Sequence, residues 1–366
     1  MPSIAHRVRE TFTRRQPELR QTIRVTVAAL AAFVAYKYLG LQQGYWAIFT
    51  VLIVMQGSIG STLGAATERM IGTLAGALLG GAALAFHPHT PVEIAIALVI
   101  VTSIAVMAAA IRPQLRVAPV TAAIMLLTEP TNVPVEIFVI DRIIEIALGG
   151  FIAVLATVLI FPARSHALVV GRSVKVLELT QRLLLSEADA LERGEALIPS
   201  KEHPALRQAL TAVEQAMKDA DRERASHLAD HAIPPSIPRT LWRIRNDLVQ
   251  IGSALREALP ASITAGLAPS AAGLLRAEAS LSGRCAVALR DATAVPREDV
   301  AASRLAFTNT FHQLRETGIT RALDFDEAGR VFGLGFALER LHRDLADLAD
   351  RIDEIANGQS ERDAES

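Results

Sequence analysis

Among the ionisable side chains of the apolar stretches that run from Val25 to Phe161, seven are weighed for chemistry: Lys37, Glu68, Arg69, Glu93, Asp141, Arg142 and Glu145. A charge in a segment fit for lipid is costly, so each needs a chemical reason. Arginine supplies a permanent cation with a planar fork of donors, matched to a carboxylate or another oxyanion. A neighbouring Asp or Glu can offset that charge or carry a proton. Lys37 can reach water along its own stem. Glu93 stands at a helix start, where the helix dipole favours a carboxylate. Two groups remain for solute chemistry. One is Glu68-Arg69 in ATERMIGTLAG, and the other is Asp141, Arg142 and Glu145 in DRIIE, with the two acids one helical turn apart.

The residues around Glu68 say what must position it. Gly60, Gly64, Gly72, Gly76 and Gly80 recur at intervals of four, with Glu68 filling the gap in the series. Ser61, Ala65, Arg69, Thr73, Ala77 and Gly81 form the adjacent stripe. A helix with such a face lets another helix approach closely, so the glycines read as packing residues. Small residues beside a charge can equally border an aqueous path. The loop pattern places Glu68-Arg69 at the cytoplasmic mouth of a span, wetted by solvent.

Candidate spans are 22–41, 44–57, 67–86, 91–111, 115–129 and 141–161. The first, fourth and sixth reach the roughly 20 apolar residues that a bilayer crossing needs. The second is short, and the fifth is short and holds Pro119, so both should be tilted, interrupted or buried by neighbours. The first segment reads as a retained helix, because no cleavage motif and polar mature sequence follow it. Arg7, Arg9, Arg14, Arg15, Arg20 and Arg24 precede it, which puts the N-terminus in the cytoplasm. Six spans then bring ATER, RPQLR and PARSHALVVGRSVK back to the same side, so both termini are expected in the cytoplasm. Tyr45 and Trp46 read as interface anchors.

From Pro162 onward charges of both signs are dense, and the periodicity is that of soluble amphipathic helices, near 168–190, 204–230, 239–258, 264–292, 298–316 and 327–356. Leu338, Leu341, Leu345, Leu348, Ile352 and Ile355 form a seam, which fits a bundle within the chain or a homodimer coiled coil. The expected organisation is all-α: a basic N-terminus (1–21), a six-span transmembrane bundle (22–161), a cytoplasmic helical bundle (162–357) and a disordered tail (358–366).

Several function classes are excluded or disfavoured. The net charge of −1 and the lack of a basic face argue against nucleic acid. Cys285 is the sole cysteine, so no intramolecular disulfide or cysteine zinc site can form, and it reads as an inert thiol. No HExxH, nucleophile elbow or Walker A lysine occurs, and GTLAGALLGG lacks the Lys-Ser/Thr of a phosphate loop. His87 and His89 read as solvated loop residues. No enzyme, metal or cofactor is expected.

GYWAIFTVLIVMQ, then ERMIGTLAGALLGG, then DRIIEIALGGFIAVLATVLIFP together resemble the fusaric acid resistance, or aromatic acid exporter, family of bacterial inner-membrane proteins. The matching positions are Tyr45, Trp46 and Gln56; Arg69, Gly72, Thr73 and Gly76; and Arg142, Gly149, Phe161 and Pro162. The chain departs from the pattern in having Gly57 where proline is frequent, and Gly64, Ala65 and Ala66 where basic residues are frequent. The resemblance, shared with plant aluminium-activated malate channels, implies a permease for small organic anions such as aromatic carboxylates, working as a homodimer in the lipid bilayer. On that reading Arg69, Arg142 and Gln56 line the substrate path, and Glu68, Asp141 and Glu145 are candidate proton carriers. A passive gated anion channel and a non-transporting scaffold acting through its helical domain are the alternatives.

Overall fold

The computed structural model describes residues 16–86, 90–128, 134–162, 164–198, 201–228, 234, 236–297 and 300–365. Arg7, Arg9, Arg14, Arg15, His87 and His89 lie outside the described residues. Among the described residues the chain is helical throughout and forms no β-strand. It divides into two compact units, Met1–Ser165 with Asp219–Asp230, and His166–Lys218 with His231–Ser366.

The first unit contains α1 (Gln16–Leu39), α2 (Tyr45–Val54), α3 (Ile59–Leu84), α4 (Pro91–Ile111), α5 (Ala118–Leu127) and α6 (Val135–Leu159). Helices α1, α4 and α6 contain stretches long and apolar enough to cross a membrane. Helices α2 and α5 have 10 residues each. At about 1.5 Å per residue each is roughly 15 Å long, half of a hydrocarbon core of about 30 Å. Pro119 does not interrupt a helix. It sits in the first turn of α5, where its missing N–H would have had no partner in any case.

Helix α3 corrects the expected boundary. It starts at Ile59 instead of residue 67, because Ser58 and Ser61 form a reciprocal cap: the Ser58 side chain accepts from the Ser61 amide, and the Ser61 side chain accepts from the Ser58 amide. Two serines do what a Ser/Glu pair usually does, so the start carries a weak sequence signal. Helix α3 packs against α5 and α6, and α6 packs in turn against α2 and α1. At the end of α6 the chain turns through Phe161, whose φ is +49°. Arg24 of α1 closes this end, donating Nε to the Ile160 carbonyl at 3.0 Å and Nη2 to that of Phe161.

The second unit is built from α7 (Ser165–Arg193), most of α8 (Glu202–Ala225), α9 (Ser236–Ala254), α10 (Ala261–Asp291), α11 (Val300–Glu316) and α12 (Phe325–Glu365). The backbone of α12 continues through Glu365, where the sequence reading placed a disordered tail. Helix α12 packs along α9 and α10. Leu338, Leu341, Leu345, Leu348 and Ile352 are buried there, and Ile355 is partly buried. The seam is therefore consumed within one chain. Cys285 is buried in α10, and burial pushes its thiol up to about 12, which accords with an inert side chain.

Candidate functional site

Around the contacts of α2, α3 and α6 three charged side chains are buried. Arg142 and Glu145 of α6 are 2% and 1% exposed, and Arg69 of α3 is 7% exposed. Both α6 residues lie on the face that meets α2 and α3, because α6 turns its small residues the same way. A Cβ on Gly149 would lie 2.4 Å from the Ala47 carbonyl oxygen of α2, so only glycine permits this approach.

Arg142 is held from three directions. Its Nη2 donates to Gln43 Oε1 at 2.6 Å, and Nη1 lies 3.6 Å from Glu145 Oε2. Its guanidinium carbon stands 4.6 Å from the Trp46 ring centroid and 5.6 Å from that of Phe138. The contact with Glu145 is an ion pair beyond hydrogen-bond length. Both Glu145 oxygens, Arg142 Nε and Nη1, Trp46 Nε1, Thr50 Oγ1, Arg69 Nε and Thr73 Oγ1 are buried without a hydrogen-bond partner. Leaving one such group unmade costs about 1–3 kcal/mol. A cluster of them makes this the polar part of an otherwise apolar helix contact.

Arg69 departs from the expected wetted position. Because α3 starts at Ile59, Arg69 lies ten residues along the helix, roughly 15 Å from its start. It is buried, has no carboxylate partner among the described residues, and is close enough to Arg142 to feel its charge. Glu68, the neighbouring residue, is partly exposed. The two residues that the sequence treats as a pair therefore face different surroundings. Where α2, α3 and α6 meet, the two buried guanidinium groups of Arg69 and Arg142 stand against the one buried carboxylate of Glu145, a local excess of positive charge.

Glu68 lines a cleft of about 300 Å³ with Gly64, Thr67, Gln114, Arg222 and Ser226. Arg222 belongs to the segment 219–230 that packs with this unit, and its Nη2 lies 3.9 Å from Glu68 Oε1. Glu223 of the same segment is 1% exposed. It accepts from the Gly60 amide at 2.8 Å, from the Ser165 amide at 3.0 Å and from the Ser165 hydroxyl at 2.6 Å. One carboxylate thus serves the starts of both α3 and α7, where unpaired amides and the helix dipole favour a negative charge.

The remaining expected residues are placed as follows. Asp141 is partly buried beside the Arg142 group, and Gln56 is exposed in the linker after α2, its amide donating to Thr62 Oγ1. The glycine stripe of α3 meets two partners. Cβ atoms on Gly60 and Gly64 would strike Asp219 and Arg222, whereas those on Gly72, Gly76 and Gly80 would strike Val117 and helix α5. Lys37 is exposed near the Phe33 and Tyr36 rings, and Glu93 closes a capping box with Thr90. Sequence reasoning missed Gln43, Arg222 and Glu223. Gln43 stands two residues before Tyr45-Trp46 and carried a faint signal. Glu223 is hidden in the charge run KDADRERA, which reads as a solvated face.

Apolar helices of spanning length around buried, partly unpaired charges define the class: a helical membrane protein. Residues 29–156 match the family model described as fusaric acid resistance protein-like, so this segment is similar to that family. The chain is 28% identical over 164 residues to the uncharacterized membrane protein YvaC of Bacillus subtilis. It is 29% identical over 178 residues to the uncharacterized protein YhfK of Escherichia coli. These alignments take in 44% and 47% of this chain but 26% and 25% of the relatives, so the chain spans about a quarter of their length.

Proposed function

We propose that the protein is a permease that exports small organic anions, aromatic carboxylates foremost, across the bacterial inner membrane. The observation that carries this reading is the local excess of buried guanidinium over carboxylate between α2, α3 and α6, Arg69 and Arg142 against Glu145. A fixed cation in a low-dielectric interior attracts an anion far more strongly than one in water. Arg142 retains unpaired donors for a carboxylate, and the Trp46 and Phe138 rings beside it suit an aromatic body. The family described as fusaric acid resistance protein-like supports the same chemistry by its printed description.

The chain crosses the membrane six times, with α2 and α5 as short segments completed by their flanking linkers, and residues after 162 form a cytoplasmic bundle. Support for one common inner side comes from contacts within the first unit. Arg24 meets Ile160 and Phe161, and Glu68 and Gln114 share a cleft with Arg222. The positive-inside pattern independently assigns those loops to the cytoplasm. Glu68 and Gln56 stand near the inner entrance, and the working unit is a homodimer.

Glu145 is the favoured proton carrier, because a buried carboxylate next to the anion-binding cation can offset it or release it. Coupled export is tested in liposomes loaded with benzoate, with and without a pH gradient. Arg142→Ala and Arg69→Ala should each lower flux by roughly ten- to a hundred-fold, the worth of one charge-assisted hydrogen bond of about 1.5–3 kcal/mol. Flux indifferent to the gradient would make the protein a passive channel, and normal flux in both arginine variants would overturn the site.

A further inference from the structure

The aromatic residues of the second unit are unevenly placed. After Pro162 the sequence has six aromatic side chains, Trp242, Phe307, Phe311, Phe325, Phe332 and Phe336. Leucine, isoleucine, valine and alanine fill nearly all of that unit's buried interior. Four of the five phenylalanines instead line one cleft between α11 and α12, with a volume of about 460 Å³. That size lies within the range of small-molecule sites.

The cleft has a layered chemistry. Phe307 forms its buried floor, Phe311 stacks at 5.7 Å from Phe307 and edge-on at 5.9 Å from Phe332, and Phe336 is 71% exposed. Gly335 keeps the wall open: a Cβ there would stand 2.6 Å from the Phe311 ring. Arg304 is already committed to Glu339, at 3.0 Å, and Thr308 donates to the same carboxylate at 3.1 Å. Arg315, on the rim, has no carboxylate partner among the described residues, and its guanidinium is exposed.

We propose that this cleft binds a small aromatic carboxylate. The ring would lie between Phe311, Phe332 and Phe336, in the offset or edge-on arrangements that aromatic pairs prefer. The carboxylate would meet the free fork of Arg315, which is matched to two oxygens. The site is separate from Arg142 and does not depend on it. It gives the helical unit a means to register the concentration of an aromatic acid, whatever the first unit transports. Burying the exposed Phe336 face against a second copy of the chain is the competing occupancy.

The test uses the full chain in detergent micelles and isothermal titration with benzoate, with benzamide and hexanoate as probes lacking the charge or the ring. Wild type should bind benzoate at least ten-fold more tightly than either analogue. Arg315→Ala and Phe336→Ala, both at exposed positions, should each weaken benzoate at least ten-fold while helical content and melting temperature stay unchanged. Arg142→Ala should leave this binding event in place, which separates it from any site in the first unit. Unaltered benzoate binding in both cleft variants would overturn the proposal. So would equal affinity for benzamide, or a Phe336→Ala variant that changes only the oligomeric state by light scattering.

Discussion

Glu145 Oε2 lies 3.6 Å from Arg142 Nη1, with both side chains almost fully buried and neither carboxylate oxygen hydrogen-bonded. A buried pair at this distance is neither a tight salt bridge nor two independent charges. It leaves the guanidinium able to exchange one carboxylate for another. The coupling hypothesis follows from that looseness.

Glu145→Gln keeps the shape and removes the proton site. Export by this variant should persist along a substrate gradient but lose its dependence on a pH gradient. Asp141→Asn, at a partly buried position outside the ion pair, should retain the dependence. Measured benzoate flux at fixed substrate gradient and varied pH gradient decides it, and the opposite ranking would transfer the role to Asp141.

Gly149→Ala places a methyl 2.4 Å from the Ala47 carbonyl and should push α2 and α6 apart. Overpacking of this kind costs about 1–3 kcal/mol. Gly57→Ala meets no heavy atom within 4 Å and should be within about 0.5 kcal/mol of wild type. Thermal melting of the two variants in one detergent compares them directly. Equal midpoints would mean that α2 and α6 do not approach this closely.

Glu223→Ala strips the acceptor from the Gly60 amide and from both donors of Ser165. The expected loss is about 3–5 kcal/mol, as for an unpaired buried network. Glu316→Ala, on an exposed stretch of α11, is the control. Urea or thermal midpoints that move no further for Glu223→Ala than for the control would show that the carboxylate is dispensable.

Glu187 of α7 is fully buried with both oxygens unpartnered, and burial pushes its carboxyl well above the usual range. The folded state therefore holds this proton to higher pH than the unfolded chain, whose glutamate titrates near pH 4.3. Its proton is favoured by folding, so wild type loses stability as pH rises from about 4.3 toward the higher folded value. Glu187→Gln lacks the ionisation, and its advantage over wild type should grow between pH 5 and pH 8 in a melting series. A constant difference across that series would place the charge in contact with solvent.

The helices of the second unit were legible because amphipathic periodicity is a local property: Leu338, Leu341, Leu345, Leu348 and Ile352 occupy one face wherever that helix packs. What the seam packs against was not legible, since an internal bundle and a dimer satisfy the same pattern. The stripe from Gly60 to Gly80 likewise announced close approach without saying that Asp219, Arg222 and α5 are the neighbours. The depth of Arg69 depended on eight residues at the start of α3, decided by the Ser58–Ser61 cap.

By itself the sequence determined an all-helical chain, the three segments of spanning length, the family resemblance and the residue types able to bind an anion. Each follows from composition, period or motif along the chain. Tertiary structure alone decided that Gln43 and Trp46 hold Arg142, that Glu68 and Arg69 part company, and that Glu223 reaches the starts of two helices. The physical reason is that burial and pairing are set by which helix faces meet. A charge reads the same in sequence whether its partner lies three residues away, like Glu145, or 163 residues away, like the Glu223 that binds Gly60.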